Sequence, residues 1–304
     1  MGIHGGEKGI DPRWLVLLAA ILWGTTGTAQ AFAPAGAHPL TVGAVRLAVG
    51  GAALMAIALL KGSLRGAKSW PVIATGLAAG CMAAYQLFFF AAVLKTGVAV
   101  GTVVTIGSSP VIAGLLAFLF RGERPGLRWA MATVMAVVGC VLLSASGSSL
   151  NVNSLGILLA LGAGTSYAAY ATVSKRLLDQ YPPEAVVAVV FCLGALLLSP
   201  FLFYADLHWL VQVKGFFVAL HLGLIATALA YVFFARGLAK IPVATAVTLS
   251  LAEPLTAAFL GIVVLGERPS LPVFGGMLLV LAGLVIISYT PASSSPADSQ
   301  EPAI

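Results

Sequence analysis

Apolar residues run along this chain in long blocks, without the spaced stripe of a half-buried helix or the alternation of a half-buried strand. Ten windows are nearly free of charge and long enough for a helix to cross roughly 30 Å of hydrocarbon. They are 14–33, 40–60, 71–94, 97–119, 127–145, 155–173, 184–203, 213–235, 242–264 and 271–289. Strands of a membrane barrel would be about ten residues of alternating polarity. The pattern therefore predicts an all-α membrane protein with ten transmembrane helices. The run from Trp14 is too long for the apolar core of a secretory signal and ends at Phe32-Ala33-Pro34 without a fitting cleavage site, so it reads as the first span. Residues 291–304, rich in Ser and Pro, read as a disordered cytoplasmic tail.

Composition narrows the class. Apolar residues make up 60% of the 304 positions and charged residues 9%. A soluble domain has about 25% charged residues, so a soluble enzyme, a disordered chain and a coiled coil are all excluded. The net charge of +6 would point to nucleic acid in a soluble protein. Here the basic residues sort by side of the membrane. With the N-terminus inside, the inner segments hold Lys8, Arg13, Lys61, Arg65, Lys68, Arg121, Arg124, Arg128, Lys175, Arg176, Arg236 and Lys240, and the outer ones only Lys95, Lys214 and Arg268. This bias predicts both termini in the cytoplasm and no nucleic-acid partner. Trp14, Trp70, Trp129 and Trp209 fall at span ends, where an interfacial belt is expected, whereas Trp23 lies mid-span. Cys81, Cys140 and Cys192 lie in apolar runs without metal-ligand spacing and read as small buried hydrophobes.

The tetrapeptide Gly-Glu-Arg-Pro occurs at 122–125 and again at 266–269, an offset of 144 residues. The same offset carries Pro110 onto Pro254, Ala113 onto Ala257, Leu116 onto Leu260, Leu127 onto Leu271, Gly139 onto Gly283 and Ser144 onto Ser288. A weaker match at offset 140 places Gly24-Thr25 on Gly164-Thr165. The chain thus reads as two five-helix repeats, 1–150 and 151–290. Five is odd, so the second repeat enters the membrane the other way up. Inverted repeats enclosing a midplane site are an architecture of secondary transporters.

A polar mid-helix, then Pro, then a small and apolar run, then Gly-Glu-Arg, twice over ten spans, resembles the drug/metabolite transporter superfamily, EamA type, across residues 14–289. Within it the chain is most similar to bacterial amino-acid exporters of the YddG type. The resemblance implies ten helices, a central cavity and export without ATP. The residues agree on the last point: there is no phosphate-binding G-x-x-x-x-G-K-[ST] loop, no H-E-x-x-H and no G-x-S-x-G, so no cofactor and no enzyme is implied.

Polar side chains at membrane depth should face the bundle interior or a wet cavity. Trp23, Thr26, Gly27 and Gln30 share one face of the first span. The third span carries Tyr85, Gln86 and Phe89, the sixth Tyr167 and Tyr170, and the eighth Thr227 and Tyr231. Thr105, Ser108 and Ser109 precede Pro110; Thr248, Ser250 and Glu253 precede Pro254. Each proline removes a helical donor, and a carbonyl freed in this way can hold a substrate or an ion. These sixteen polar and aromatic residues are the candidate substrate-binding set, with Pro110 and Pro254 as kinks or hinges. Helix–helix packing and back-bonding hydroxyls are the competing explanation for each. Glu253 is the only acidic residue placed mid-span, suited to a substrate ammonium, a proton or a neutral hydrogen bond, and no basic partner is evident at its depth. Arg46 is free either to snorkel outward or to reach a substrate carboxylate. Glu123 and Glu267 read as helix-end or loop-pairing residues. Gly76-xxx-Gly80 and Gly97-xxx-Gly101 read as packing faces, and the histidines are given no role.

The expected function is a secondary transporter of the bacterial inner membrane. It would export small amphipathic metabolites, most of all aromatic or neutral amino acids, by alternating access. Its partners would be that small molecule and the lipid bilayer, with the chain a monomer or weak homodimer. The alternatives are export of drug-like cations, less readily of nucleotide sugars, and a non-transporting membrane enzyme or scaffold subunit.

Overall fold

The computed structural model describes residues 10–65, 70–144, 153–203 and 205–289. The expected tail at 291–304, the boundary at 150, and Lys8 and Lys68 lie outside the described residues. Within them the chain forms ten apolar helices and no strand. They are α1 (Pro12–Ala31), α2 (Pro39–Leu60), α3 (Val72–Gly97), α4 (Val100–Arg121), α5 (Leu127–Leu143), α6 (Ser154–Leu178), α7 (Pro183–Phe203), α8 (Val213–Leu238), α9 (Val243–Val263) and α10 (Leu271–Ser288). Nine are long enough to cross a bilayer, and α5 is shorter.

Local chemistry sets several of the ends. Asp11 accepts from the backbone N–H of Arg13 at 2.9 Å with Pro12 at the first helical position, and Asn153 caps α6 through Gly156 N–H at 3.0 Å. α6 runs five residues beyond its expected end at 173 because Lys175 is not a boundary residue. Its ammonium is buried and donates to the carbonyls of Leu238 and Ala239 at 2.7 and 2.9 Å, satisfying the C-terminus of α8.

Both Gly-Glu-Arg-Pro segments close a helix in the same way. Gly122 (φ 66°) and Gly266 (φ 71°) occupy the left-handed conformation that a Cβ disfavours. The next residue then folds back six positions, Glu123 N–H to Ala117 O at 3.2 Å and Glu267 N–H to Gly261 O at 3.0 Å. The glycine repeats because the cap repeats.

The two halves are related in space as well as in sequence. α5 and α10 meet through backbone: a Cβ on Gly139 would lie 2.7 Å from Gly276 O, and one on Gly283 would lie 2.7 Å from Ala132 O. The offset of 144 carries Gly139 onto Gly283 and Ala132 onto Gly276, so each contact is the image of the other. Numbers rise along one helix as they fall along the other, so α5 and α10 run antiparallel. The last helix of each repeat therefore points the opposite way from its copy, as a pseudo-two-fold axis in the membrane plane requires. A second pair of close approaches, similar without being exact images, joins α1 to α9 and α6 to α4. A Cβ on Gly24 of α1 would lie 2.8 Å from Glu253 O of α9, and one on Gly164 of α6 would lie 2.8 Å from Thr105 O of α4. Such close approach, made by small residues, holds helices together where lipid removes the hydrophobic drive.

Some packing expectations are corrected. Nothing packs within 4 Å of a Cβ built on Gly76 or Gly80, so that pair joins no helices; Gly97 forms the turn between α3 and α4 (φ 82°), whereas Gly101 does pack, a Cβ there lying 3.2 Å from Val93 Cα of α3. Trp209 is buried among Val42, Val45 and Val218 rather than lying in an interfacial belt. Trp129 is drawn inward because its indole N–H donates to Thr248 at 2.9 Å. Large apolar side chains such as Leu60, Ile73, Phe203 and Leu271 remain exposed around the outside, a surface that only lipid would cover.

Candidate functional site

A cavity with an acidic and a basic residue on its wall opens between α1, α2, α3, α4, α6, α8 and α9; its empty space is about 490 Å³, counting its mouth. The first repeat supplies Trp23, Arg46, Tyr85, Thr105, Ile106 and Ser109, and the second Tyr167, Tyr231, Val247, Ser250, Leu251 and Glu253. α5, α7 and α10 contribute nothing to its wall.

Aromatic rings form one side. Trp23 lies 4.8 Å from Tyr231 and edge-on to Tyr167 at 6.4 Å, and Tyr85 lies 5.7 Å from Tyr167. Such offsets and edges follow the ring quadrupoles. The indole N–H of Trp23 is buried without a partner, so the cluster keeps one donor uncommitted. Tyr167 Oη and Ser250 Oγ share a hydrogen bond of 3.2 Å.

The hydroxyls on α4 are committed elsewhere. Thr105 donates to Ala160 O at 3.1 Å, and Ser109 to Thr105 O at 2.7 Å. The first of these ties α4 to α6, and α4 passes through Pro110 with helical dihedrals. α9 behaves differently. Its helix stops at Leu249 and resumes at Ala252, with Glu253 N–H reaching Ser250 O at 3.0 Å in a tightened turn. Pro254 has no N–H to give to that carbonyl, so the break falls four residues ahead of it. The break places Ser250, Leu251 and Glu253 on the cavity.

Two opposite charges face this space. The Glu253 carboxyl group makes no hydrogen bond or ion pair among the described residues. Arg46 turns inward rather than snorkelling, and its Nε donates to Thr227 Oγ1 at 2.9 Å. The two make no ion pair with each other. Arg46 is therefore the basic group that was not evident at the depth of Glu253. The signal for it was in the sequence: one arginine in an otherwise uncharged span must either reach the interface or line a polar site.

The remaining candidates lie off the wall. Thr248 accepts from Trp129 and bonds Thr133 at 3.1 Å, facing α5. Tyr170 is buried behind Tyr167 and Tyr231. Phe89 stacks on Tyr85 at 5.8 Å. Gln86 faces a separate, smaller hollow with Leu40, Phe90 and Leu198. Ser108 donates to Thr105 O at 3.2 Å, and Thr227 is fully buried beneath Arg46. Thr26 Oγ1 is buried and unpartnered, and Gln30 is half-buried outside the cavity lining. Ile106, Val247 and Leu251 line the wall without any polar signal to mark them.

One end of the bundle is laced by charge. Arg121 pairs with Glu123 at 3.1 Å and with Asp179 at 3.0 Å. The other oxygen of Glu123 accepts Val243 N–H at 3.0 Å, capping α9. Glu184 takes Lys61 at 2.9 Å and also Arg236. Glu267, the copy of Glu123, is exposed at the opposite end and makes no pair.

A model of the EamA-like transporter family matches this chain twice, over residues 13–145 and 154–289. The chain belongs to the EamA-like transporter family. It is 46% identical over 292 residues to the uncharacterized transporter YwfM of Bacillus subtilis, covering 96% of this chain and 98% of that one. It is 32% identical over 262 residues to the threonine/homoserine exporter RhtA of Escherichia coli, covering 83% and 82%. It is 29% identical over 284 residues to the uncharacterized inner membrane transporter YicL of Salmonella typhimurium, covering 90% and 93%. A solved crystal structure shares the fold with a TM-score of 0.79 at 23% identity, covering 90% of this chain and 95% of that one. This EamA-like transporter is thus a multi-pass membrane protein, and its cavity lies between the two segments that the family model matches, each giving half of the wall.

Proposed function

We propose that this EamA-like transporter exports small zwitterionic metabolites, amino acids first, across a bacterial inner membrane, with both termini in the cytoplasm. The observation that carries the reading is the pair Arg46 and Glu253, a basic and an acidic group in one cavity that form no ion pair with each other. A zwitterion satisfies both, its carboxylate at the guanidinium and its ammonium at the carboxylate. The rings of Trp23, Tyr85, Tyr167 and Tyr231 add apolar surface for a side chain and a second attraction for the ammonium. The exporter RhtA and the inner-membrane relative YicL support cargo and location.

The same asymmetry supports alternating access. The charge-laced end is also the end rich in Lys and Arg, which supports a cytoplasmic side for it. Its bonds fix the start of α9 to the first Gly-Glu-Arg-Pro loop, a contact suited to keeping that side closed in one state. Inverted repeats exchange roles between states. In the opposite state Glu267 would cap the start of α4, the image of the start of α9, while Glu123 releases Val243.

Flux of radiolabelled threonine, homoserine and phenylalanine in proteoliposomes tests the cargo. Saturable uptake that unlabelled substrate competes away is expected; no such flux for any amino acid would end the reading. Glu253 beside aromatic rings also favours a second cargo, drug-like cations. Inhibition by a quaternary ammonium compound without amino-acid flux would select it. For topology, cysteines placed at 124 and 268 in a background lacking the native three should label from opposite sides of the membrane. Labelling from one side would overturn the inverted arrangement.

A further inference from the structure

The inward turn of Arg46 has a structural cause in α8. Residues His221–Leu229 are wound as a π-helix, a rare form that concentrates at functional sites. Thr227 lies within it, fully buried. Its hydroxyl donates to Leu222 O, five residues back, at 2.7 Å. With that hydrogen committed, Thr227 Oγ1 can only accept, and it accepts the Nε–H of Arg46.

The stretch is clamped on both sides. A Cβ on Gly50 of α2 would lie 2.8 Å from Thr227 Cβ, and one on Gly223 would lie 2.6 Å from Val49 Cβ. His221 Nε2 lies 2.8 Å from Thr25 Oγ1 of α1, and Thr25 already donates to Leu22 O, so the histidine is the donor. α2 thus cannot shift along the π stretch, and the acceptor for Arg46 is fixed in place.

Held through Nε, the guanidinium keeps its Nη1 and Nη2 groups free of any hydrogen bond or ion pair to the described residues. That end-on fork matches the two oxygens of a carboxylate. The position that images Thr227 in the first repeat, 144 residues earlier, is Ala83. The arrangement exists once and gives the symmetric scaffold a direction for its cargo.

We propose that Thr227 is a positioning residue that presents the free fork of Arg46 to a substrate carboxylate, so that the site selects metabolites with a free carboxylate over the corresponding amines. The proposal rests on the zwitterion reading above. Thr227→Val keeps the volume and removes the acceptor; Thr227→Ser keeps the acceptor. In proteoliposomes the valine variant should raise KM for L-threonine roughly tenfold, leave flux of the decarboxylated analogue 1-amino-2-propanol unchanged, and be rescued by serine. A parallel fall in both fluxes would mean a merely structural role, and no change in either would mean no role; both overturn the proposal.

A second measurement does not depend on transport. In protein labelled with 15N-arginine, the Arg46 Nε–H signal, assigned by its loss in Arg46→Lys, should resist solvent exchange in wild type and Thr227→Ser but not in Thr227→Val. Added propionate should shift it in wild type. If wild type carries no amino acid yet these signals behave as stated, the cargo reading falls and the positioning role stands. If exchange is equal in all forms, or propionate has no effect, the positioning role falls whatever the cargo.

Discussion

Arg46→Ala and Glu253→Gln are each expected to cut kcat/KM for amino-acid flux by roughly 30-fold to several thousandfold. Truncating one member of a desolvated, hydrogen-bonded charge pair costs about 2–5 kcal/mol, and here the unpaired member would be a charged end of the substrate. The two variants should differ in stability. The Glu253 carboxyl makes no hydrogen bond or ion pair among the described residues, so an ionisable group is held away from water without a partner at a cost. Glutamine has the same shape and cannot ionise. Glu253→Gln should therefore unfold in detergent at the wild-type temperature or above it while losing transport, the exchange of stability for function expected at a binding site. Arg46→Ala leaves Thr227 bonded to Leu222, so the protein should remain monodisperse. Normal flux from either variant, measured on folded protein, would remove the charge pair from the mechanism.

Gly139→Leu is expected to damage the fold itself. Its Cβ would meet Gly276 O at 2.7 Å and the backbone N of Val280 at 2.8 Å. Backbone cannot rotate away as a side chain can, so α5 and α10 must separate. Overpacking a core typically costs about 1–3 kcal/mol, and an obstacle made of main chain on both helices should bring the cost to the top of that range or above. Gly283→Leu meets Ala132 O in the image contact and should behave alike. Gly76→Leu, which meets nothing, is the control. A marked fall in unfolding temperature for the first two and none for the third is expected by thermal unfolding in detergent. Three equal temperatures would mean that α5 and α10 are not paired through their glycines.

Much of the scaffold was legible because each signal is local. Hydrocarbon leaves a backbone no partner but itself, so an uncharged window of sufficient length becomes a helix wherever its neighbours lie. The Gly-Glu-Arg-Pro segments were legible for a similar reason, since the left-handed cap at Gly122 and Gly266 is set by a handful of adjacent residues. The site was legible only in part. Thr248 and Ser250 stand two residues apart in the same polar run, yet one faces Trp129 on α5 and the other faces the cavity. Side chains two apart already point roughly 200° from each other on a helix, so periodicity separates the pair, but it cannot say which of the two faces the hollow.

Arg46 shows the same limit. Its place in the span admits two rotamers, outward to the interface or inward to the bundle. The choice belongs to Thr227, 181 residues away, and to the π-helix that aims that hydroxyl. Ten spans in two antiparallel copies can be read from the residues alone, since hydropathy and a repeated cap act through near neighbours. Which polar side chains meet in the hollow cannot, because a side chain's direction depends on helices packed against it from distant parts of the chain.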